Sequence, residues 1–284
     1  MANEPEVTSD AQDSMKSRVR QWLEKTGFGL ELEVAAAFRA EGFDVRQASH
    51  FIDRDSGKSR EIDVVACDPN DMGIVEIGFI VECKRSTKPW VLLSSSETLD
   101  GYNRVMAVGL LSDRARDAMI QRLGREEAIE MILPWFKKDS RVAYSLRQAF
   151  AERDLGYATT VAIAKATDAW VNTGKSIDHN QLKFGFPLIV TDAPILECFL
   201  DASGTVELRE IDQGEVLFSG RAPVGFGACI RIISARSISA FAKEAYRVAT
   251  LLRANLKEEE ERMMLSWRQS HGDPTAFRPR NMGA

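Results

Sequence analysis

The sequence predicts an α/β fold in which a mixed sheet is covered by helices on both faces. Three observations support this prediction. Apolar residues recur at helical spacing across 30–40, and short runs rich in branched apolar residues follow between 44 and 84 and return between 187 and 233. The segment 77–81 is apolar on both faces apart from Gly78, which is typical of an interior strand that is covered on two sides.

The first elements are defined by their periodicity and by the turns between them. Leu30, Val34, Ala37 and Phe38 form one apolar stripe of a helix over 30–40, and Gly42 suits the position just after its end. We expect strands at 44–51, 62–67 and 74–84, separated by polar turn sequences at 53–59 and 68–73.

Beyond position 94 the pattern first favours helices and then strands again. The predicted helices cover 113–123, 125–133, 141–152 and 158–171, with the three serines at 94–96 as an N-cap region before Glu97. The predicted strands cover 187–191, 195–200, 206–211, 215–219 and 228–233. A long helix is expected at 237–256, and the glutamate run at 258–261 extends it as a solvated face.

A length of 284 residues is typical of about two domains. The predicted elements divide the chain into a polar lead-in with a short helix (1–27), the first part of a core (28–93), a helical block (94–180), the remaining strands and last helix of the same domain (181–256), and a charged, mobile tail (257–284).

Composition excludes several functional classes. The net charge of −5 argues against a protein that coats nucleic acid non-specifically, because such proteins are usually basic. No apolar stretch approaches the roughly 18 residues that a membrane span needs, and the acidic first ten residues are unlike a signal peptide. The four cysteines and three histidines lack zinc-site spacing, so we expect reduced thiols in the cytoplasm.

Charged side chains occur where an apolar strand ends. Glu82 and Lys84 share one face of the 74–84 strand because side chains alternate along a strand. If this strand pairs antiparallel with 62–67 about a turn centred between residues 72 and 73, Asp63 lies opposite Glu82. The two carboxylates would then have Cβ atoms about 5 Å apart.

Two interpretations of this register are open. Close carboxylates repel unless a cation or a proton lies between them, and a hard divalent ion such as Mg²⁺ meets that need with oxygen ligands. Alternatively, Glu82 and Lys84 neutralise each other and Asp63 caps a turn. The joint placement of the three residues favours a site.

These residues resemble the D…(D/E)-x-K signature of the PD-(D/E)XK, or restriction-endonuclease-like, nuclease superfamily. Asp63 precedes a turn, and Glu82-Cys83-Lys84 closes an apolar strand. The helix sequence LELEVA at 30–35, followed by Gly-Phe at 42–43, is similar to the acidic helix that opens this core in Mrr-like members. The resemblance covers 28–93 and implies an αβββαβ core with a helical insertion, in which 187–191 is the fourth strand.

The resemblance implies hydrolysis of phosphodiester bonds with Mg²⁺ or Mn²⁺ as the cofactor. Asp63 and Glu82 would be metal ligands, with the backbone carbonyl of Cys83 as a third. Lys84 would assist the attacking water, and Glu31 would hold a second metal or orient a metal-bound water.

The choice of Glu31 over Glu33 depends on the family's L-E-x-x-V/A pattern, because both residues flank the buried stripe. The basic residues Lys58, Arg60, Arg85 and Lys88 surround these positions and would contact nucleic acid, most simply DNA. Lys58 and Arg60 fit equally well as ordinary surface residues.

The sequence is therefore compatible with three functions. The first is a metal-dependent nuclease, for which a homodimer would suit cleavage of both strands of a duplex. The second is a catalytically silent nuclease-fold scaffold that binds nucleic acid or protein. The third, of lower weight, is hydrolysis of a smaller phosphoester.

Overall fold

The structure is a computed structural model that describes residues 9–69, 73–100, 102, 106–123, 135, 141–153, 155–172, 181–220 and 227–271. Its helices are α1 (Ser9–Lys25), α2 (Phe28–Ala40), α3 (Asp113–Leu123), α4 (Leu155–Val171), α5 (Ile238–Asn255) and α6 (Lys257–His271). Its strands are β1 (Asp44–Ile52), β2 (Ser59–Cys67), β3 (Val75–Lys84), β4 (Trp90–Ser95), β5 (Leu110–Leu111), β6 (Val142–Gln148), β7 (Leu182–Thr191), β8 (Ile195–Leu200), β9 (Val206–Ile211), β10 (Gln213–Phe218) and β11 (Ala228–Ser234). Across these ranges, no helix combines the length and apolarity that crossing a membrane requires.

One mixed sheet contains all of these strands, which confirms the predicted α/β class. β1, β2 and β3 form an antiparallel meander, β7 lies parallel to β3 along its full length, and β11 lies parallel to β7. The order continues through β10, β6, β4, β8 and β9, while the short β5 pairs with β7. Every residue of β7 is buried, as expected for a central strand with helices on both sides.

Helices pack on both faces of this sheet. On one face, α2, α3 and α5 contribute to an apolar cluster in which the ring of Phe79 contacts the rings of Phe38 and Phe186. On the other face, α4 lies in a second cluster that contains Ile80 of β3 and Trp90 of β4. This second cluster joins strands from both halves of the sheet.

The predicted register of β2 and β3 is confirmed. Val64 lies opposite Val81 and Cys67 lies opposite Gly78. The recorded pairs end at Val64 and Val81, so Asp63 and Glu82 are the next residues along the two strands in the same register. The turn sequence at 68–73 therefore predicted the register of the two strands correctly.

The predicted helical block at 94–180 is wrong over part of its length. Residues 142–148 form β6 instead of the helix predicted at 141–152, and the serines at 94–96 end β4 and begin a turn instead of capping a helix. The helix at 113–123 is confirmed, and the helix at 158–171 is confirmed as the larger part of α4. The helix predicted at 125–133 lies outside the described residues.

The prediction of a mobile tail at 257–284 is also wrong over part of its length. α5 ends at Asn255, and a separate helix, α6, covers Lys257–His271. Glu259 of the glutamate run is buried against Arg122 of α3, so the run is not simply a solvated face. Residues 272–284 lie outside the described part of the chain.

Candidate functional site

Three neighbouring elements carry the four acidic and basic residues predicted for the site. Glu31 lies in the first turn of α2, Asp63 in the middle of β2, and Glu82 and Lys84 at the end of β3. Because β2 and β3 are antiparallel and Val64 pairs with Val81, the middle of β2 meets the end of β3. α2 packs against this meander through Leu30 and Val34, which brings its first turn to the same end of the sheet.

Asp63 bonds across the two strands. Its Oδ2 accepts the backbone N–H of Cys83 at 2.7 Å, although the residues are 20 positions apart. Burial, followed by the negative charge of Glu82, raises the pKa of Asp63 to about 7, and the Cys83 N–H only partly offsets this. Near neutral pH, Asp63 therefore carries a proton for much of the time.

Glu82 and Lys84 form an ion pair through Oε1 and Nζ. Burial opposes the charged form of Lys84, but the carboxylate of Glu82 outweighs it, so the pKa of Lys84 is raised. Glu82 and Lys84 therefore do neutralise each other, as the alternative interpretation of the sequence requires. Asp63 does not cap a turn, however, since its carboxylate bonds to β3.

Glu31 belongs to the same electrostatic cluster. Burial and then the charges of Glu61 and Glu82 raise its pKa, while Lys84 lowers it. Glu33, by contrast, is exposed. The set predicted from the sequence omits Glu61, although its spacing of two residues from Asp63 places both acids on one face of β2.

Cys83 contributes its backbone to the site, whereas its side chain lies in the core. The thiol is buried in the apolar cluster beneath α2, and burial raises its pKa. Its N–H is directed to Asp63. The side chain is therefore a small core residue, as the alternation along β3 predicts.

The donor set suits a hard divalent cation, although no group of three or more His, Cys, Asp or Glu in the described chain is arranged to hold a metal ion. Asp63 and Glu82 each use one oxygen in a hydrogen bond, and their second oxygens have no hydrogen bond to described residues. Their repulsion is what a cation between them would relieve, and Mg²⁺ commonly takes one or two carboxylates and keeps several waters.

The four predicted nucleic-acid contacts separate into two pairs. Arg85 forms an ion pair with Asp192 at 3.2 Å, and the ammonium of Lys88 donates to the backbone carbonyl of Phe150 at 2.7 Å. Both belong to the segment that follows Lys84 and connects β3 to β4. Lys58 and Arg60 are exposed on the β1–β2 hairpin.

Residues distant in the sequence also border the site. Asp192, just after β7, accepts the backbone N–H of Ser86 at 2.9 Å, and Gln148 of β6 donates to the Ser86 hydroxyl at 2.7 Å. Phe150, two residues further on, has an 84% exposed side chain. No local sequence pattern marks these residues, because only the sheet topology brings them close to the end of β3.

Comparisons with known proteins return nothing: no protein-family model, no curated protein and no solved structure matches this chain. The function is therefore argued from the chemistry of the residues themselves.

Proposed function

We propose that this protein is a metal-dependent nuclease that hydrolyses phosphodiester bonds, most simply in DNA, with Mg²⁺ or Mn²⁺ as its cofactor. The observation that carries the proposal is the register of β2 and β3, whose last pair, Val64 and Val81, directly adjoins Asp63 and Glu82. Glu31 and Lys84 lie within electrostatic range of the pair. Three acids and a lysine that meet beside the end of a central strand are costly to bury, and such clusters often mark a functional site.

The order of elements supports an assignment to the PD-(D/E)XK superfamily. α2 is followed by the β1–β2–β3 meander, and the chain later returns through α4 to β7, which lies parallel to β3. This sequence of helix, three strands, helix and strand is the order that the resemblance implies. The strands and helix between β3 and α4 would be an insertion in that core.

In this proposal each residue has a distinct role. Asp63 and Glu82 would hold the cation, which when bound polarises a phosphoryl oxygen and acidifies water. The ammonium of Lys84 has three donors, so it can bond Glu82 and still donate to a phosphate oxygen or to the attacking water. Glu31 would add a third carboxylate at the edge of the cluster.

Cleavage of supercoiled plasmid tests the proposal. Wild-type protein should nick or linearise the plasmid with Mg²⁺ or Mn²⁺ and should be inactive in EDTA. Glu31→Gln, Glu82→Gln and Lys84→Ala should each lower the rate by about 100-fold or more. Glu33→Gln, on an exposed position of the same helix, is the matched control and should cleave like wild type. Metal-independent cleavage, or full activity in the Glu82 and Lys84 variants, would contradict the assignment.

The silent scaffold stays a second candidate because of one observation. The Glu82–Lys84 ion pair and the raised pKa of Asp63 let the cluster approach charge balance without a metal. Calorimetric titration with Mg²⁺ and Mn²⁺ separates the two functions. Heat that disappears in the Asp63→Asn variant supports the nuclease, whereas the absence of binding to wild type supports the scaffold.

A further inference from the structure

Phe150 has an unusual backbone conformation for an aromatic residue. Its φ is +59°, in the left-handed region that bulky L-residues rarely occupy. Its ring gains almost nothing from burial, since the side chain is 84% exposed. A single exposed apolar side chain is ordinary, but an exposed ring held in a strained turn is not explained by folding.

Two hydrogen bonds hold this turn in place. The N–H of Ala149 donates to the carbonyl of Pro89 at 2.9 Å, and the ammonium of Lys88 donates to the carbonyl of Phe150 at 2.7 Å. Both partners belong to the segment that connects β3 to β4. The turn that carries the ring is therefore hydrogen-bonded to the segment that follows the candidate site in the chain.

Hydrogen bonds also link the turn that carries the ring to the segment that follows Lys84. Ser86, two residues after Lys84, bonds Gln148, which is two residues before Phe150. Two residues of extended chain span at most about 7 Å, so each of these steps is short. Arg85 and Lys88 lie in the same connection and supply cationic groups for phosphates.

We propose that Phe150 is a stacking platform for an unpaired nucleobase, so that the substrate class is a single-stranded polynucleotide. This inference rests on the proposed nuclease function, because it takes the strand whose base stacks on Phe150 to be the strand whose phosphate lies at Glu82 and Lys84. Bases inside a duplex already stack on their neighbours through both faces. A ring on an exposed turn can therefore cover a base only where the strand is unpaired.

Binding to two labelled oligonucleotides tests the inference. The probes are a thymidine strand of about 15 nucleotides and a strand of equal length in which the bases are removed. Fluorescence anisotropy is measured in EDTA, so that no cleavage occurs. Phe150→Ala should weaken binding of the thymidine strand by about 5- to 150-fold, the range for loss of one aromatic–base stack. It should leave binding of the abasic strand and the salt dependence unchanged, because no phosphate contact is lost.

Two control variants make the result specific. Phe150→Trp should preserve the affinity, since a larger ring stacks at least as well. Tyr144→Ala removes another exposed aromatic of the same region, 61% exposed on β6, and should change nothing. Equal losses on both probes, no loss on either, or no binding of the thymidine strand by wild type would each overturn the inference.

The outcome is separable from that of the nuclease proposal. Metal-dependent plasmid cleavage together with unchanged oligonucleotide binding in Phe150→Ala would refute the stacking role and leave the nuclease intact. Loss of stacking in Phe150→Ala without metal-dependent cleavage of either the plasmid or the thymidine strand by wild type would refute the nuclease and identify a single-strand-binding surface.

Discussion

Replacing Asp63 by asparagine should stabilise the metal-free protein at alkaline pH while abolishing cleavage. Burial and the charge of Glu82 raise the pKa of this carboxyl group to about 7 from an ordinary value of 3.8. Asparagine keeps an oxygen that can accept the Cys83 N–H, but it carries no charge to desolvate or to repel Glu82. The substitution therefore removes the free-energy cost of a buried, repelled carboxylate and keeps the hydrogen bond from the Cys83 N–H.

The expected size follows from proton linkage. The folded state binds the Asp63 proton more tightly than the unfolded state, so the unfolding free energy of wild type falls as the pH rises from about 4 to about 7. The full difference in pKa corresponds to about 4 kcal/mol. Because the side chain is only partly buried, we expect the variant to be more stable by about 2 kcal/mol above pH 7.

Urea unfolding in EDTA measures this difference. The advantage of Asp63→Asn should be complete near pH 8 and small near pH 4.5, where Asp63 is mostly protonated in the folded protein. Adding Mg²⁺ near pH 8 should stabilise wild type but not the variant, since a ligand of the folded state alone shifts the equilibrium towards it. The reasoning would be refuted if the variant were no more stable than wild type near pH 8. It would also be refuted if the gain in unfolding free energy were the same near pH 4.5 as near pH 8.

Three further substitutions test the packing described above, each by urea unfolding. A methyl group added by Gly78→Ala would lie 2.5 Å from the ring of Trp170, so we expect a loss of about 2 kcal/mol that shrinks when Trp170→Phe is also present. Glu259→Gln breaks a buried ion pair and should cost about 3 kcal/mol, whereas exposed Glu258→Gln should cost under about 0.5 kcal/mol; equal losses would contradict this. Phe150→Gly should raise the unfolding free energy by about 0.5 kcal/mol because glycine accepts a positive φ, and a decrease would show that the turn is not strained.

The parts of the fold that depend on local pattern are predictable from the sequence. The stripe on α2 and the branched residues of β2 and β3 identify these elements, and the turn between the strands fixes their register. Register decides which side chains face each other, so the opposition of Asp63 and Glu82 follows from the same pattern. For this reason the candidate site is more accessible to prediction than the second half of the sheet.

β6 shows why that second half is harder to predict. Val142, Leu146 and Phe150 recur every four residues, which is the spacing of a helix face. Residues 142–148 nevertheless pair with β4 along most of their length. Cross-strand partners about 50 positions away decide the conformation here, and tertiary context of this kind commonly overrides local propensity.

Long-range contacts account for the other differences. Glu259 is buried because Arg122, 137 positions earlier, donates to its carboxylate. A run of four glutamates alone gives no indication that one of them is internal. The position of Phe150 beside the end of β3 likewise depends on the bonds from Lys88 and Gln148, which no local pattern reveals.

The parallel pairing of β3 with β7 has a consequence for biosynthesis. The residues of the candidate site are complete in the nascent chain once Lys84 has been made, yet β7 begins only at Leu182. At ordinary translation rates the ribosome needs about 5 to 20 s for the intervening stretch of about 100 residues. Throughout that interval one side of β3 offers ten residues of unpaired backbone to any other strand. A premature stop before β7 would therefore yield an aggregation-prone fragment that contains every proposed ligand but lacks the strand that pairs with β3.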